Sequence, residues 1–312
     1  MINRNNTVLY AYSNDIDYWT YFWAANSIFY YSYKNTTMGI VRFDTTEEEE
    51  IEFHSDAESL NASLFSHQPD PSLGYGDTTT GSNLYTVLKK FLNNRKVSLC
   101  GAQVLVLAKR YPDEIDVSEI ISQLRANHVM VYIACDSVPS GGSNSAILYE
   151  TSFQTNGYCA FATDNALQKV SSKFTAFGWM TNILGFPYQF IAQNFVVSGS
   201  GRIEIPVFKT PIPPGYSDTC SFSITVQNHT LDNSFVSMNY TIESTDGSYV
   251  FKYPSVQSYP LYGTAQSGYV WLNGSLSYTW TIDYYYNSDE PQVIECRMYS
   301  TYYHDFLPLP DF

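Results

Sequence analysis

The stretch Gly76-Asp77-Thr78-Thr79-Thr80-Gly81-Ser82-Asn83-Leu84 decides how the first half of this chain reads. It is a glycine-bounded loop of hydroxyl and carboxylate side chains that runs straight into an apolar periodicity. Leu84, Val87, Leu88 and Phe91 fall at helical core spacing, so a helix is predicted over 79–91. Closely spaced hydroxyl and carboxylate oxygens before a helix are suited to a hard divalent ion, which also needs at least one or two anionic ligands from elsewhere.

Working outward, Thr7 to Tyr12 reads as a buried strand, Asp17 to Tyr33 as an aromatic stretch of helical length, and Met38 to Phe43 as a second strand. Glu47 to Glu50 read as a solvated hairpin turn leading into a short edge strand over 50–54. Val104-Leu105-Val106-Leu107-Ala108 is continuously apolar, the pattern of a strand covered on both faces in a parallel sheet. Asp116 as N-cap with Glu119 three residues on announces a helix carrying Val117, Ile120, Ile121 and Leu124 on one face. A strand over 129–134, a helix over 145–154 and a strand over 158–162 follow. This alternation predicts an α/β doubly wound, mostly parallel sheet.

From about Phe186 the helical periodicity stops, and Pro, Gly and Tyr become frequent. Strand-like runs recur at 202–208, 220–227, 235–243, 248–252, 268–272, 277–286 and 292–299. Tyr278, Trp280, Ile282 and Tyr284 alternate onto one face. This pattern predicts a C-terminal all-β antiparallel sandwich of about 100 to 120 residues. The expected domains are 1–185 and 186–312.

Composition bounds the function. Sixteen Lys and Arg against 30 Asp and Glu give a formal charge of −14, which repels nucleic acid and anionic lipid. No apolar run is long enough to span a membrane, and the first residues lack the apolar core of a signal peptide, so the chain reads as cytosolic or as a mature secreted form. Sequons stand at Asn5, Asn35, Asn61, Asn228, Asn239 and Asn273, little above what this Asn, Ser and Thr content produces by chance. The 5 cysteines have no metal-ligand spacing. Cys220, Phe222, Ile224 and Val226 share one strand face, as do Ile294, Cys296 and Met298, with Glu295 and Arg297 on the opposite face. A Cys220–Cys296 disulfide is expected, set against two buried free thiols, and it implies an oxidising compartment. Cys100 and Cys159, at the amino ends of their strands, are a less certain pair, which leaves Cys135 free.

Catalytic signatures are weak. The 5 histidines, at 54, 67, 128, 229 and 304, show no paired ligand spacing. The Ser-Gly segments at 198–201 and 140–143 do not form a nucleophile elbow, and no glycine-rich phosphate loop follows the first strand. The chain has 28 Tyr, and Tyr284-Tyr285-Tyr286 with Tyr299, Tyr302 and Tyr303 must expose some rings, offering contact area for a protein or glycan. An unusually aromatic sandwich core is the other explanation of that tyrosine content.

The element order around the Gly-x-Thr-x-Thr-Gly loop resembles the von Willebrand factor A domain over about residues 6 to 175. That resemblance implies a divalent ion held by an Asp-x-Ser-x-Ser loop after the first strand, a Thr from the quoted loop and an Asp ending the fourth strand. Thr78 matches. In the first loop, Ala11 replaces the leading carboxylate, Ser13 is retained and Asp15 takes the place of the second serine. Arg110, or Lys109 if the register slips by one, stands at the last aspartate. A fixed cation there repels a metal. Arg110 or Lys109 is therefore expected to fill the vacated position and pair with Asp15 or with Asp77, or else to point to solvent.

Cys100-Gly101, Lys109-Arg110-Tyr111-Pro112-Asp113-Glu114, Pro139-Ser140-Gly141-Gly142, Leu148-Tyr149, Thr155-Asn156-Gly157 and Val197-Ser198-Gly199-Ser200-Gly201 together resemble a nematode family of secreted proteins. Its members combine a degenerate A domain with a sandwich similar to CUB modules, and several are associated with responses to infection. Members of that family are mostly of uncharacterised function; together with the weak catalytic signatures and the tyrosine-rich surface, the resemblance leads to the expectation of an extracellular, non-enzymatic recognition or adhesion protein that uses no cofactor and binds a protein or glycan. A secreted scaffolding protein and a metal-dependent adhesion protein are the alternatives.

Overall fold

The computed structural model describes residues 6–31, 36–171, 184–253 and 261–311. The chain divides into two compact units, Met1–Thr181 with Pro308–Phe312, and Asn182–Leu307. The sequence reading placed 308–312 in the second domain. Hydrogen bonds from Arg125 Nη2 to the Pro310 carbonyl (2.8 Å) and from Asn156 Nδ2 to the Pro308 carbonyl (2.9 Å) attach that segment to the first unit.

The first unit is a six-stranded sheet in the order β3-β2-β1-β4-β5-β6, comprising β1 (Asn6–Ser13), β2 (Thr36–Phe43), β3 (Glu52–His54), β4 (Gln103–Ala108), β5 (Met130–Asp136) and β6 (Tyr158–Ala162). All pairs are parallel except β2 with the edge strand β3. Helices α1 (Tyr18–Tyr31), α2 (Ala57–Ser66), α3 (Leu84–Leu92), α4 (Ser118–Ala126), α5 (Ala146–Gln154) and α6 (Asp164–Ser171) connect them. This is the doubly wound, mostly parallel α/β sheet that the alternation of strands and helices predicts. Every side chain of β4 is buried, as its unbroken apolar run requires. The strand order reverses direction at β1, between β2 and β4, which makes the carboxyl edge there the topological switch point where such sheets bind ligands.

Local chemistry moves several boundaries. The helix expected over 79–91 starts only at Leu84, because the Asp77 carboxylate accepts the amides of Thr79 (2.8 Å) and Thr80 (2.7 Å) and holds that stretch in a turn. Asp116 accepts the Ser118 amide (2.9 Å) and closes a turn ahead of α4 without forming a capping box. Helix α2 lies between the edge strand and the Gly76–Leu84 loop and is capped by Asp56, which accepts the Ser59 amide. The glutamate run is not simply solvated. Glu49 takes the buried Arg42 guanidinium (Nε to Oε1, 3.0 Å), and Lys90 Nζ pairs with Glu48 (2.9 Å).

The second unit is a sandwich of two four-stranded antiparallel sheets. One is ordered β11-β10-β13-β8, from β11 (Val250–Tyr253), β10 (Phe235–Ser244), β13 (Ser277–Tyr286) and β8 (Ser200–Lys209). The other is ordered β12-β9-β14-β7, from β12 (Ala265–Asn273), β9 (Ser217–Thr225), β14 (Gln292–Ser300) and β7 (Tyr188–Val197). Tyr278, Trp280 and Ile282 are buried as their alternation predicts, and Tyr240 stacks on Tyr253 at 4.5 Å in a core that includes Phe222. Of the expected surface tyrosines, Tyr285 and Tyr303 are exposed, whereas Tyr286 and Tyr299 are buried. Glu295 and Arg297, on the strand face opposite Cys296, are fully buried and paired at 3.0 Å.

The disulfide expectation is overturned: all five cysteines are free thiols. Register gives the reason. Cys296 lies opposite Ile224 on β9, four residues from Cys220, a separation of about 13 Å along the strand at about 3.3 Å per residue. Cys100 precedes β4 and Cys159 is in β6, with β5 between those strands. Two strand spacings are about 9.6 Å, beyond the roughly 7 Å Cα limit for a bridge. Cys135 is also a buried thiol.

Candidate functional site

Parallel strands deliver their following loops to one edge, so the loops after β1, β2, β4 and β5 meet the Gly76–Leu84 loop there. Tyr12 of β1 lies opposite Leu107 of β4. Asp15 and Arg110 are each three residues further on, and this shared offset brings them together. Arg110 donates from Nε to Asp15 Oδ2 at 3.0 Å, and its Nη2 lies 2.9 Å from the same oxygen in an ion pair. Its Nη1 donates to the Thr80 carbonyl (2.6 Å), and Nη2 also donates to the Asp77 carbonyl (2.9 Å). The Arg110 side chain is only 3% exposed, and its guanidinium carbon sits 5.2 Å from the Tyr75 ring centroid. Of the two expected partners, the carboxylate of Asp15 and the backbone of the Asp77 loop bind Arg110. Lys109 turns away and pairs with Asp136 at 2.6 Å.

The loop after β5 completes the enclosure. Ser140 Oγ donates to Asp15 Oδ2 at 2.5 Å, and the Tyr111 amide donates to the Gly141 carbonyl at 2.8 Å. A Cβ on Gly141 would lie 2.0 Å from Arg110 Nη1 and 2.8 Å from the Thr80 carbonyl oxygen. Gly142 has φ +69°, and a Cβ there would meet the Tyr111 carbonyl oxygen at 1.8 Å. The Arg110-Tyr111 and Ser140-Gly141-Gly142 segments are therefore two halves of one packing unit.

A second buried carboxylate, Asp44, was missed from sequence. It follows β2 with φ 63° and accepts Ser13 Oγ (2.6 Å), Ser82 Oγ (2.7 Å) and the Asn83 amide (3.1 Å). Its own amide donates to Asn83 Oδ1 (2.8 Å), which explains why Asn83 does not cap α3 with its side chain. Burial raises the Asp44 pKa to about 6, with the three hydrogen bonds opposing that rise and the nearby Asp15 charge adding to it. The only sequence signal was a carboxylate placed directly after a buried strand. For Asp77, hydrogen bonds from the Thr79 and Thr80 amides and hydroxyls, the amide of Thr80 foremost, hold the carboxyl well below its usual range.

The donor set does not fit a divalent ion. Ala11 offers a buried methyl group, the Ser13 hydroxyl is committed to Asp44, one Asp15 oxygen receives both the Arg110 guanidinium and the Ser140 hydroxyl, and that guanidinium is itself buried in the site. Thr78 is exposed on the wall of an open cleft of about 480 Å³ that also touches Asp15, Asp77, Arg110 and Ser140. Among the sequons, Asn5 and Asn35 lie outside the described residues. Asn239 is exposed on β10, Asn61 and Asn228 are half-buried, and Asn273 accepts the Ser275 amide at 2.8 Å.

Residues 193–301 match a family described as a domain of unknown function, DUF7154. Among solved structures, the chain is similar to a von Willebrand factor type A protein from Catenulispora acidiphila at 10% identity and a TM-score of 0.40, covering 95% of this chain and 58% of that one. The chain therefore spans little more than half of that structure's length. It is also similar to an aerotolerance-related membrane protein from Bacteroides fragilis (17% identity, TM-score 0.37, 57% of this chain and 98% of that one). A third likeness is to BatB, a conserved hypothetical protein from Bacteroides thetaiotaomicron (15% identity, TM-score 0.36, 58% and 98%). No curated protein matches the chain.

Proposed function

We propose that the chain is an extracellular, non-enzymatic recognition protein whose first unit binds a protein or glycan at the carboxyl edge of its sheet without a metal ion. Arg110 carries the reading. Its guanidinium is buried, permanently charged and satisfied by one carboxylate and two carbonyls, so it supplies internally the positive charge that an ion would bring. Displacing it strands an unpaired charge in a desolvated site, at a cost of about 3–5 kcal/mol. What stays open at the edge is a cleft of ligand size whose wall includes Thr78 and Asp77.

The non-enzymatic part rests on how the edge carboxylates are engaged. Asp15 is tied to Arg110, Asp136 to Lys109 and Asp77 to its own loop, which leaves them poorly placed as acid or base. The Cys135 and Cys296 thiols are pushed well up by burial and are poor nucleophiles. With the disulfide gone, the secreted setting and a part in the response to infection rest on the family resemblance alone.

Calorimetric melting after EDTA treatment, and then in millimolar calcium, magnesium and manganese, tests the proposal. The melting temperature is expected to move by less than about 1 °C, whereas a tight site adds several kcal/mol at saturation. A rise of several degrees with any of the three ions overturns it.

A further inference from the structure

We propose that a second cleft, on the other side of Asp15, is a subsite for a neutral saccharide with Trp19 as its platform. The proposal deepens the recognition reading above by naming the ligand class, and apart from Asp15, which faces both, it involves different residues from the Arg110 enclosure. The cleft has a volume of about 380 Å³, and its walls include Trp19, Lys109, Asp136, Asp164, Asn165 and Gln168. That volume is at the small end of ligand sites and suits about one or two sugar rings.

Trp19 is the first reason. Helix α1 buries Tyr21, Ala24, Ala25 and Ile28, so the fold does not need a tryptophan on its outer side, yet Trp19 is 60% exposed at the cleft rim. The ring is held edge-to-face against Tyr18 (5.3 Å) and Phe22 (5.9 Å) and so presents a fixed indole. A sugar ring lays its apolar C–H face on such a surface and turns its hydroxyls to the walls.

The walls are the second reason. Each hydroxyl both donates and accepts, so a sugar needs neighbours of both kinds. The Lys109 ammonium donates, the carboxylates accept, and the Asn165 and Gln168 amides do both. Charge decides between ligand classes. Asp15, Asp17, Asp136 and Asp164 against Lys109 disfavour a phosphorylated, sulfated or sialylated ligand. A basic peptide is less well matched, because Asp136 is already paired with Lys109 at 2.6 Å and Asp15 with Arg110 at 2.9 Å. Paired charges still offer lone pairs and N–H groups to hydroxyls, whereas a cationic side chain would have to break the pairs.

The experiment is isothermal titration of the full chain, in EDTA, with maltotriose, cellotriose, triacetylchitotriose, sialyllactose and tetralysine. At least one neutral trisaccharide is expected to bind. Trp19→Ala is expected to weaken that binding by about tenfold or more, while Trp271→Ala, which removes a 56% exposed tryptophan of the second unit, leaves it unchanged. Melting curves of Trp19→Ala check that the variant folds. Three outcomes overturn the subsite: no neutral trisaccharide binds either in EDTA or after calcium is added, binding survives in Trp19→Ala, or only tetralysine binds in a Trp19-dependent way. Saccharide binding that appears only after calcium is added overturns the metal-free reading and leaves the subsite standing, so the two failures are distinguishable.

Discussion

The Arg110 guanidinium and the Asp15 carboxylate meet because each lies three residues beyond a pair of residues, Leu107 and Tyr12, that are opposite one another in β4 and β1. The pair is 3% and 16% exposed, which places it in the class where removing one partner is costly. Arg110→Ala is expected to lose about 3–5 kcal/mol of unfolding free energy in urea titration. Arg110→Lys is expected to recover little, since an ammonium cannot reach Asp15, Thr80 and Asp77 at once. Full stability in Arg110→Ala would show that the enclosure contributes nothing net.

Gly141 is coupled to that guanidinium. Gly141→Ala is expected to destabilise the wild type by about 1–3 kcal/mol through overpacking. The cost should be smaller in the Arg110→Ala background, where the 2.0 Å clash with Nη1 is absent and only the 2.8 Å approach to the Thr80 carbonyl remains. A double-mutant cycle measures this, and equal costs in both backgrounds exclude the coupling.

Asp44 sets a pH dependence with an unusual sign. Its pKa is raised in the folded state, from 3.8 to about 6. The stabilising contribution of the protonated form is fully present below about pH 4 and is lost as pH rises through about 6. That amounts to about 3 kcal/mol between pH 4 and 7.5. Other carboxylates slope the opposite way, since Asp56, Asp70 and Asp77 are lowered by hydrogen bonds to their charged forms. The measurement is therefore the difference between wild type and Asp44→Asn. The variant should gain on wild type across that window, and a constant difference refutes the assignment.

The thiols give a simple contrast. Because register separates Cys220 from Cys296 and a strand separates Cys100 from Cys159, dithiothreitol should leave the melting temperature unchanged. A thiol titration in denaturant should find all five cysteines reactive. Two missing thiols, with a lower melting temperature on reduction, would restore the disulfide.

In the sandwich, the fully buried Glu295–Arg297 pair predicts that Arg297→Met alone costs about 3–5 kcal/mol. The double substitution Glu295→Gln with Arg297→Met should recover part of that loss, because no charge is then left buried. Thermal unfolding of the two variants decides it.

Much of the architecture was legible because it depends on local periodicity. The unbroken apolar run of β4, the alternation in β13 and the loop before α3 each announce their element within a few residues. Arg110 at the metal position was legible as well, once the loops were aligned on Thr78. Asp44 was not, because a lone carboxylate after a strand has no local signature and its partners Ser13, Ser82 and Asn83 are distant in sequence. The burial of Glu295 and Arg297 was not legible, because alternation assigns a residue to a sheet face and says nothing of what covers that face.

By itself, then, the sequence determined the fold class and the order of elements, since these follow from side-chain period, whereas the missing carboxylates were legible only through the family resemblance. Only the tertiary structure decided which partners those residues found. Strand register brought Asp15 to Arg110 and kept Cys220 from Cys296, and the close approach at Gly141 sealed the guanidinium in. Pairing across strands is a property of register and sheet order, and one residue of slip would have sent the Arg110 charge elsewhere.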